Sequence, residues 1–358
     1  MNKRNTLILV MAGGVTTLLA GPATADPVAD FYAGKQLDLY IGYSTGGGYD
    51  TYARIVGRHI GEHIPGNPNV SPRNQPGAGS LTLANALYNQ LPKDGTAIGV
   101  IGRGMVMEPL FGNELARFNP AEFNWLGSAN NEVSVCVVWH TIPISGIKDF
   151  LTTPLTVGGT GPGADTDVFP KVLNNVLGAH LKLITGYPGG NDISLAMERG
   201  EVQGRCGWSW SSVKSTRANW LEEKQIQVVL QVSTDKHPDL PNVPLVMDLA
   251  SNDQERSILE LIFARQAMGR PFVAPPGVPE ARVKALQTAF MATMKDPEFR
   301  AAAKKIDLEV EPISGDKIDQ IVKRMYSAPK AVVEAAKQAI EREDKTKIEK
   351  VTAENPRK

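Results

Sequence analysis

The chain has 358 residues, 42% hydrophobic and 21% charged, with 38 basic side chains against 38 acidic. That composition excludes wholesale disorder, and the length suggests two domains rather than one. A formal net charge of zero offers nucleic acid no basic surface, so it is not expected as a partner.

In chain order, Lys3 and Arg4 form a positive start, residues 7–19 a short apolar run, and Ala23-Thr24-Ala25 a small-x-small cleavage pattern. Together they read as a bacterial-style secretory signal peptide over 1–25, cut near Ala25. Nothing later holds the ~18 apolar residues of a spanning helix, so a free periplasmic protein is expected. Removing Lys3 and Arg4 leaves 36 basic against 38 acidic residues, a charge of about −2.

Residues 37–41 alternate as a strand does, and the tight loop Tyr43-Ser44-Thr45-Gly46-Gly47-Gly48 follows. Tyr52, Val56, Ile60 and Ile64 then recur at four-residue spacing, which predicts a helix over 49–64 that stops at Pro65-Gly66. A second Gly-rich loop, Asn74 to Ser80, precedes a helix over 81–91 and a strand over 97–101. The unit recurs beyond Trp125. Strands are expected at 133–139, 155–157, 181–185, 202–208 and 226–232, and helices at 169–177 and 193–199. Gly-rich loops interrupt this set at Gly158 to Gly163 and at Tyr187 to Asp192. From Pro279 the tail reads as helical, and 341–358 as a solvated, fraying helix. Strand, loop and helix repeated in this way predict an α/β class with largely parallel, doubly wound sheets.

Cys136 and Cys206 both sit in strand-like contexts. Two readings stand, a disulfide in an oxidising compartment or two separate buried thiols, and geometry decides between them.

Three sharper motifs lead elsewhere. Gly42-Tyr43-Ser44-Thr45-Gly46 matches G-x-S-x-G between a strand and a helix, the setting of a hydrolase nucleophile. Only about 18 mature residues precede Ser44, too few for the earlier strands of an α/β-hydrolase, and His140, His180 and His237 lie in no distinctive motif. His59-Ile60-Gly61-Glu62-His63 places two imidazoles on one helix face, as a zinc site would, but no third ligand is nominated. None of the Gly-rich loops completes a nucleotide-binding pattern. No cofactor and no metal are expected.

What such loops do well is bind anions. Exposed N–H groups at a helix N-terminus attract negative charge, and glycine lets the backbone come close. Loops of this kind gather at the carboxyl edges of strands. Two sets facing across a cleft would hold a small molecule with two anionic groups, and binding would close the hinge.

The stretch Tyr43 to Arg54 resembles the first ligand loop of Bug-type extracytoplasmic receptors, the solute-binding subunits of tripartite tricarboxylate transporters. The likeness continues, in order, through Asn74 to Ser80, Pro92 to Gly95, Gly159 to Gly163, Tyr187 to Gly190, Gly200 to Val202, Leu240 to Pro244, Pro275 to Pro279 and Asp296 to Phe299. The resemblance implies a two-lobe periplasmic binding fold with two crossovers, lobe one at 26–130 plus 267–358 and lobe two at 131–266. It implies a monomer that catalyses nothing, captures a small organic carboxylate and delivers it to membrane permease subunits. A secreted serine hydrolase using Ser44 and a sensor for a signalling partner are the rival classes.

Carried over, the ligand positions are Ser44, Thr45, Gly46, Gly47, Gly48 and Asp50 in the first loop. Thr160, Gly161, Gly163, Asp165 and Thr166 belong to the loop opening lobe two. Gly79, Ser80, Tyr187 and Asp192 flank the cleft. Arg103, between two glycines at a strand end, is a candidate counter-charge for a second carboxylate, or else a partner in a surface salt bridge. Ser44 and Thr45 stand where the family carries prolines. Asp165 and Asp167 bring carboxylates where it carries Ser and His, and a helix-capping role is favoured for them. Trp208 is a candidate stacking platform, or else core.

Overall fold

The computed structural model describes residues 26–341 and 349–350. The expected signal peptide lies outside the described residues. Strands β1 (Gln36–Ile41), β2 (Asn69–Asn74), β3 (Ala97–Val100) and β4 (Asn124–Ser128) enter the first sheet. The chain then leaves it to lay down β5 (Ser134–Trp139), β6 (Leu155–Gly159), β7 (Leu181–Thr185), β8 (Gly204–Ser209) and β9 (Ile226–Val232) in the second. It returns with β10 (Pro271–Ala274) and β11 (Ile313–Ser314), and β12 (Glu349–Lys350) rejoins the second sheet. The spatial orders are β11-β4-β10-β3-β1-β2 and β12-β7-β6-β8-β5-β9. The result is a two-lobed α/β molecule with helices packed on each sheet.

The sheets are mixed, not largely parallel. In the first, β1 runs parallel to β2 and β3, while β10 is antiparallel to β3 and β4. In the second, β6 is parallel to β7 and β8, while β5 is antiparallel to β8 and β9. In the first sheet β10 and β11 run against the other strands, and in the second β5 does; β5 and β10 are the first strands laid down after the outward passage and the return. A strand entering from the other lobe starts at the sheet edge facing that lobe, whereas a strand-to-helix crossover returns to the opposite edge.

In lobe one the inward residues of β1, Leu37, Leu39 and Ile41, meet Tyr52, Val56 and Ile60 of the Gly48–His63 helix, all fully buried. The four-residue spacing thus becomes one apolar stripe on the sheet. Gly61 allows close approach there, since a Cβ would lie 2.6 Å from the Pro68 carbonyl oxygen. In lobe two Val135, Val137, Trp208 and Trp220 pack together on one side of the sheet.

A disulfide joins Cys136 to Cys206 across the neighbouring strands β5 and β8. The chain also crosses a third time. The Lys330–Glu341 helix packs on the Asp165–Leu177 and Asp253–Phe263 helices of lobe two, and β12 extends that lobe's sheet beside β7. This differs from an assignment of all of 267–358 to lobe one, because Ala336 and Ala339 are buried against lobe two. Of the expected terminal helix over 341–358, Glu341 closes the Lys330–Glu341 helix and 349–350 form a strand; the rest lies outside the described residues.

Candidate functional site

Four helices of 16, 13, 9 and 13 residues begin at one place between the lobes: Gly48–His63, Asp165–Leu177, Gly190–Glu198 and Trp210–Glu222. Their N-cap residues are Gly47, Ala164, Gly189 and Ser209, and none makes a side-chain capping bond. The four helix starts surround one small cavity of about 50 Å3, a concentration of positive dipole ends, although the Ser211 amide of the last helix donates to Glu132. Tyr43, Gly47, Gly48, Thr160, Thr166 and Trp208 contribute to its wall.

Arginines supply further positive charge. Arg103, 2% exposed, pairs with Asp165 at 2.6 Å across the cleft and donates to the Gly269 carbonyl and the Ser134 and Ser209 hydroxyls. Burial alone would lower its pKa, but Asp165, with Tyr49 and Glu132, more than compensates and holds it above the ordinary arginine value. Arg270 lies between the rings of Tyr49 and Tyr52, 4.7 and 4.9 Å from their centroids. It reaches the buried Glu132 at 3.3 Å and donates to the Ser212 hydroxyl at 2.6 Å.

Arg205 differs. It is buried, stacks over Trp208 at 4.7 Å and donates Nη1 to the Gly190 carbonyl at 2.9 Å. No carboxylate pairs with it among the described residues, and its Nε is buried without a partner, as is Nε of Arg270. Burial pushes the Arg205 guanidinium down to about 9, with Arg217 adding to the effect; it is still charged at neutral pH.

Of the sequence-derived candidates, Gly47, Gly48, Arg103, Thr160, Asp165, Thr166 and Trp208 line this cavity. The others sit around it with identifiable partners. The Ser44 hydroxyl donates to Asp192 at 2.5 Å and its amide to the Pro188 carbonyl, both across the cleft. Thr45 bonds Asn74. Asp50 accepts from the Gly46 amide, Arg54 and Asn74, which ties the first loop to its own helix. Gly79 donates to the Thr160 carbonyl across the cleft at 3.1 Å, and the Ser80 hydroxyl accepts from the Gly102 amide. The Gly161 amide donates to Asp167, Gly163 offers its carbonyl to Arg265, and Tyr187 is buried in the lobe-two core.

Two expectations change. Asp165 does not cap its helix, whose N-cap is Ala164; its carboxylate is spent on Arg103 because the lobes bring a buried guanidinium within reach. Arg103 is in turn already neutralised, so it is not a free counter-charge. Arg205, Arg270, Tyr49 and Ser212 line the cavity and were not singled out from the sequence. Gly204-Arg205-Cys206-Gly207 read only as strand, although an arginine between Gly204 and Cys206 in a buried strand was the available signal.

The rival motifs have other occupations. Ser44 faces a carboxylate and not an imidazole, so it lacks the base a nucleophile requires. His63 bonds Asp296 at 2.9 Å and His59 meets the edge of Phe299, which fastens the first helix to Pro297–Lys304. The group His237, Asp239 and Glu309 has metal-like spacing. However, Lys214 Nζ lies 2.6 Å from both carboxylates and already provides the cation.

Two sheet-based lobes, joined by crossovers and closing on a polar cavity, define the class of periplasmic solute-binding proteins. The chain belongs to the tripartite tricarboxylate transporter receptor family, described as "Tripartite tricarboxylate transporter family receptor", which matches residues 62–337. It is 23% identical over 305 residues, 83% of this chain and 84% of the relative, to a UPF0065 protein from the tcbD-tcbE intergenic region of Pseudomonas sp. strain P51. Among solved structures it is similar to the periplasmic binding protein BugD, with a TM-score of 0.70 and 18% identity, covering 89% of this chain and all of that one. It is also similar to MatC of Rhodopseudomonas palustris, solved with bound malate, with a TM-score of 0.66, 18% identity and coverage of 84% and 99%. An adipate-bound R. palustris protein matches with a TM-score of 0.66, 16% identity and coverage of 84% and 97%. These are solute-binding proteins and not enzymes. Among the described residues no helix is long and apolar enough to cross a membrane.

Proposed function

We propose that this protein captures a small organic carboxylate in the periplasm and hands it, in the closed form, to the permease subunits of a tripartite transporter. The observation that carries the reading is the convergence of four helix N-termini, none capped by its own N-cap side chain, and three arginines on one interlobe cavity. Anions are the ligands such an arrangement favours. Relatives solved with malate and adipate support the same chemical class.

In this reading residues 1–25 direct export and are removed, and the mature chain acts as a monomer. Lobe one comprises 26–130 with the segment from 267 to the last crossing, and lobe two comprises 131–266 with the segment beyond that crossing. The amides of Gly47, Gly48 and Thr166 meet the ligand, and Trp208 forms one wall. Ser44, Gly79 and Asp192 hold the cleft shut around it. The cavity of about 50 Å3 has room for water, which needs about 10–15 Å3 measured in the same way, and in this reading a solute enters and leaves as the lobes part.

The test is a thermal-shift screen of protein unfolded and refolded to strip carried-over solute. The panel holds aliphatic di- and tricarboxylates, aromatic acids, amino acids and the corresponding amides. A ligand at 100 times its dissociation constant stabilises by about 2.7 kcal/mol. Stabilisation confined to one class of acids is expected; stabilisation by uncharged solutes alone would refute the reading.

A further inference from the structure

We infer that Arg205 is the specificity-determining cation of the cleft, taking a ligand carboxylate side-on through its Nε edge. The inference rests on the carboxylate-receptor reading and assigns that recognition to one residue. Three arginines line the cavity, and their partners differ. Arg103 has Asp165 and Arg270 has Glu132. Arg205 has no carboxylate among the described residues, is 7% exposed and keeps Nε without a partner. A buried charge without a counter-ion is costly, so a closed cleft holding this guanidinium calls for an anion from elsewhere.

The surroundings keep Arg205 in place instead of relieving it. Trp208 supports its planar face, and Gly190 accepts from Nη1. A Cβ at Gly190 would lie 2.5 Å from Nη2, so glycine is needed for the guanidinium to lie against that helix start. The Nε–Nη2 edge is the one left for a planar two-oxygen acceptor. Helix starts at Gly190 and Asp165 line the same cavity, so the bound carboxylate would also meet amide donors. Arg217, one of the charges pushing on Arg205, is itself bonded to Asn191 and supplies no counter-charge. Without an anion, closure confines this unpaired charge; with one, closure completes an ion pair. Anion recognition and lobe closure thereby become one event.

The experiment compares wild type, R205M and R205K by calorimetric titration with malate, adipate and the panel acid that stabilises wild type most. The diamide of each acid serves as uncharged control, and ligand-free melting curves are recorded. R205M is expected to bind the acid at least about a hundredfold more weakly, while its ligand-free midpoint stays at or above wild type because an unpaired charge is gone. R205K keeps a charge but not the fork, so a loss of about tenfold is expected, a readout that survives if methionine disturbs folding. Affinity of R205M within threefold of wild type overturns the inference and leaves the receptor reading intact. An R205K affinity equal to wild type overturns the side-on fork. A drop in the ligand-free midpoint of both variants that matches the loss of binding overturns it in favour of a structural role. Wild type bound by diamides as well as by acids overturns the carboxylate reading and the inference together.

Discussion

Replacing Asp165 by asparagine removes one charge from a pair that exists only when the lobes meet. Arg103 follows β3 in lobe one and Asp165 opens a lobe-two helix, with 2.6 Å between them and both side chains buried. Breaking a buried pair from one side costs about 3–5 kcal/mol. Arg103 keeps three neutral acceptors, Gly269, Ser134 and Ser209, so the lower end applies. In an open cleft water solvates both groups and the substitution costs little. Arg265, 3.6 Å from the other carboxylate oxygen within lobe two, loses a weaker contact in either state, so most of the effect, about 3 kcal/mol, falls on closure and ligand affinity drops by roughly a hundredfold. Titration calorimetry with the acid found in the screen, beside urea unfolding without ligand, separates the two. The expected result is the loss of affinity with an unchanged ligand-free midpoint. An affinity within threefold of wild type, or a midpoint that falls while affinity holds, would refute the reasoning.

Three further outcomes follow from the geometry. Gly104→Ala puts a Cβ 1.9 Å from the Gly163 carbonyl of the other lobe, so the lobes must part by roughly 1 Å or more. Weaker binding by at least tenfold and loss of ligand-induced compaction in small-angle scattering are expected, with the ligand-free melting curve near wild type. Glu309 in lobe one grips Lys214 and His237 in lobe two, and its hydrogen bond raises the His237 pKa above 6.5. That contribution is full below pH 6.5 and is lost as pH rises through the raised value. For Glu309 burial pushes upward, but the His237 and Lys214 bonds outweigh it and hold its pKa below 4.5. Its contribution is present above 4.5 and is lost as pH falls through the lowered value. Affinity measured from pH 5 to 8.5 should therefore decline towards the alkaline end, and H237Q should flatten that decline. Removing the disulfide with C136S/C206S opens a loop of sequence separation 70. A loss of about 2–4 kcal/mol is expected, read from urea midpoints with and without reductant.

The parts legible in the sequence are those that depend on neighbours along the chain. Tyr52, Val56 and Ile60 announce their helix through spacing alone, and Gly47 and Gly48 mark a helix start because a backbone turn needs them. The Trp210–Glu222 helix was missed since its sequence, WSSVKSTRANWLE, has no apolar stripe and its backbone is broken at Arg217. The antiparallel placement of β5 and β10 was also hidden, as strand direction is set by where the chain re-enters a sheet and not by local alternation. Arg103, Arg205 and Arg270 look alike in sequence. Which of them meets a carboxylate depends on Asp165 and Glu132, placed there by the closed fold. Ion pairing over such separations leaves no local pattern.

The disulfide reaches further than stability. Cys206 is the immediate neighbour of Arg205, and its partner lies on the strand that opens lobe two. The Arg205 side chain is thus attached to a backbone position next to one covalently staked to the neighbouring strand, which limits the order left to be gained there on binding. Under reducing conditions the protein would carry two thiols there. In that form it is expected to hold the guanidinium less firmly. Full order at the cavity would then arise only in an oxidising compartment.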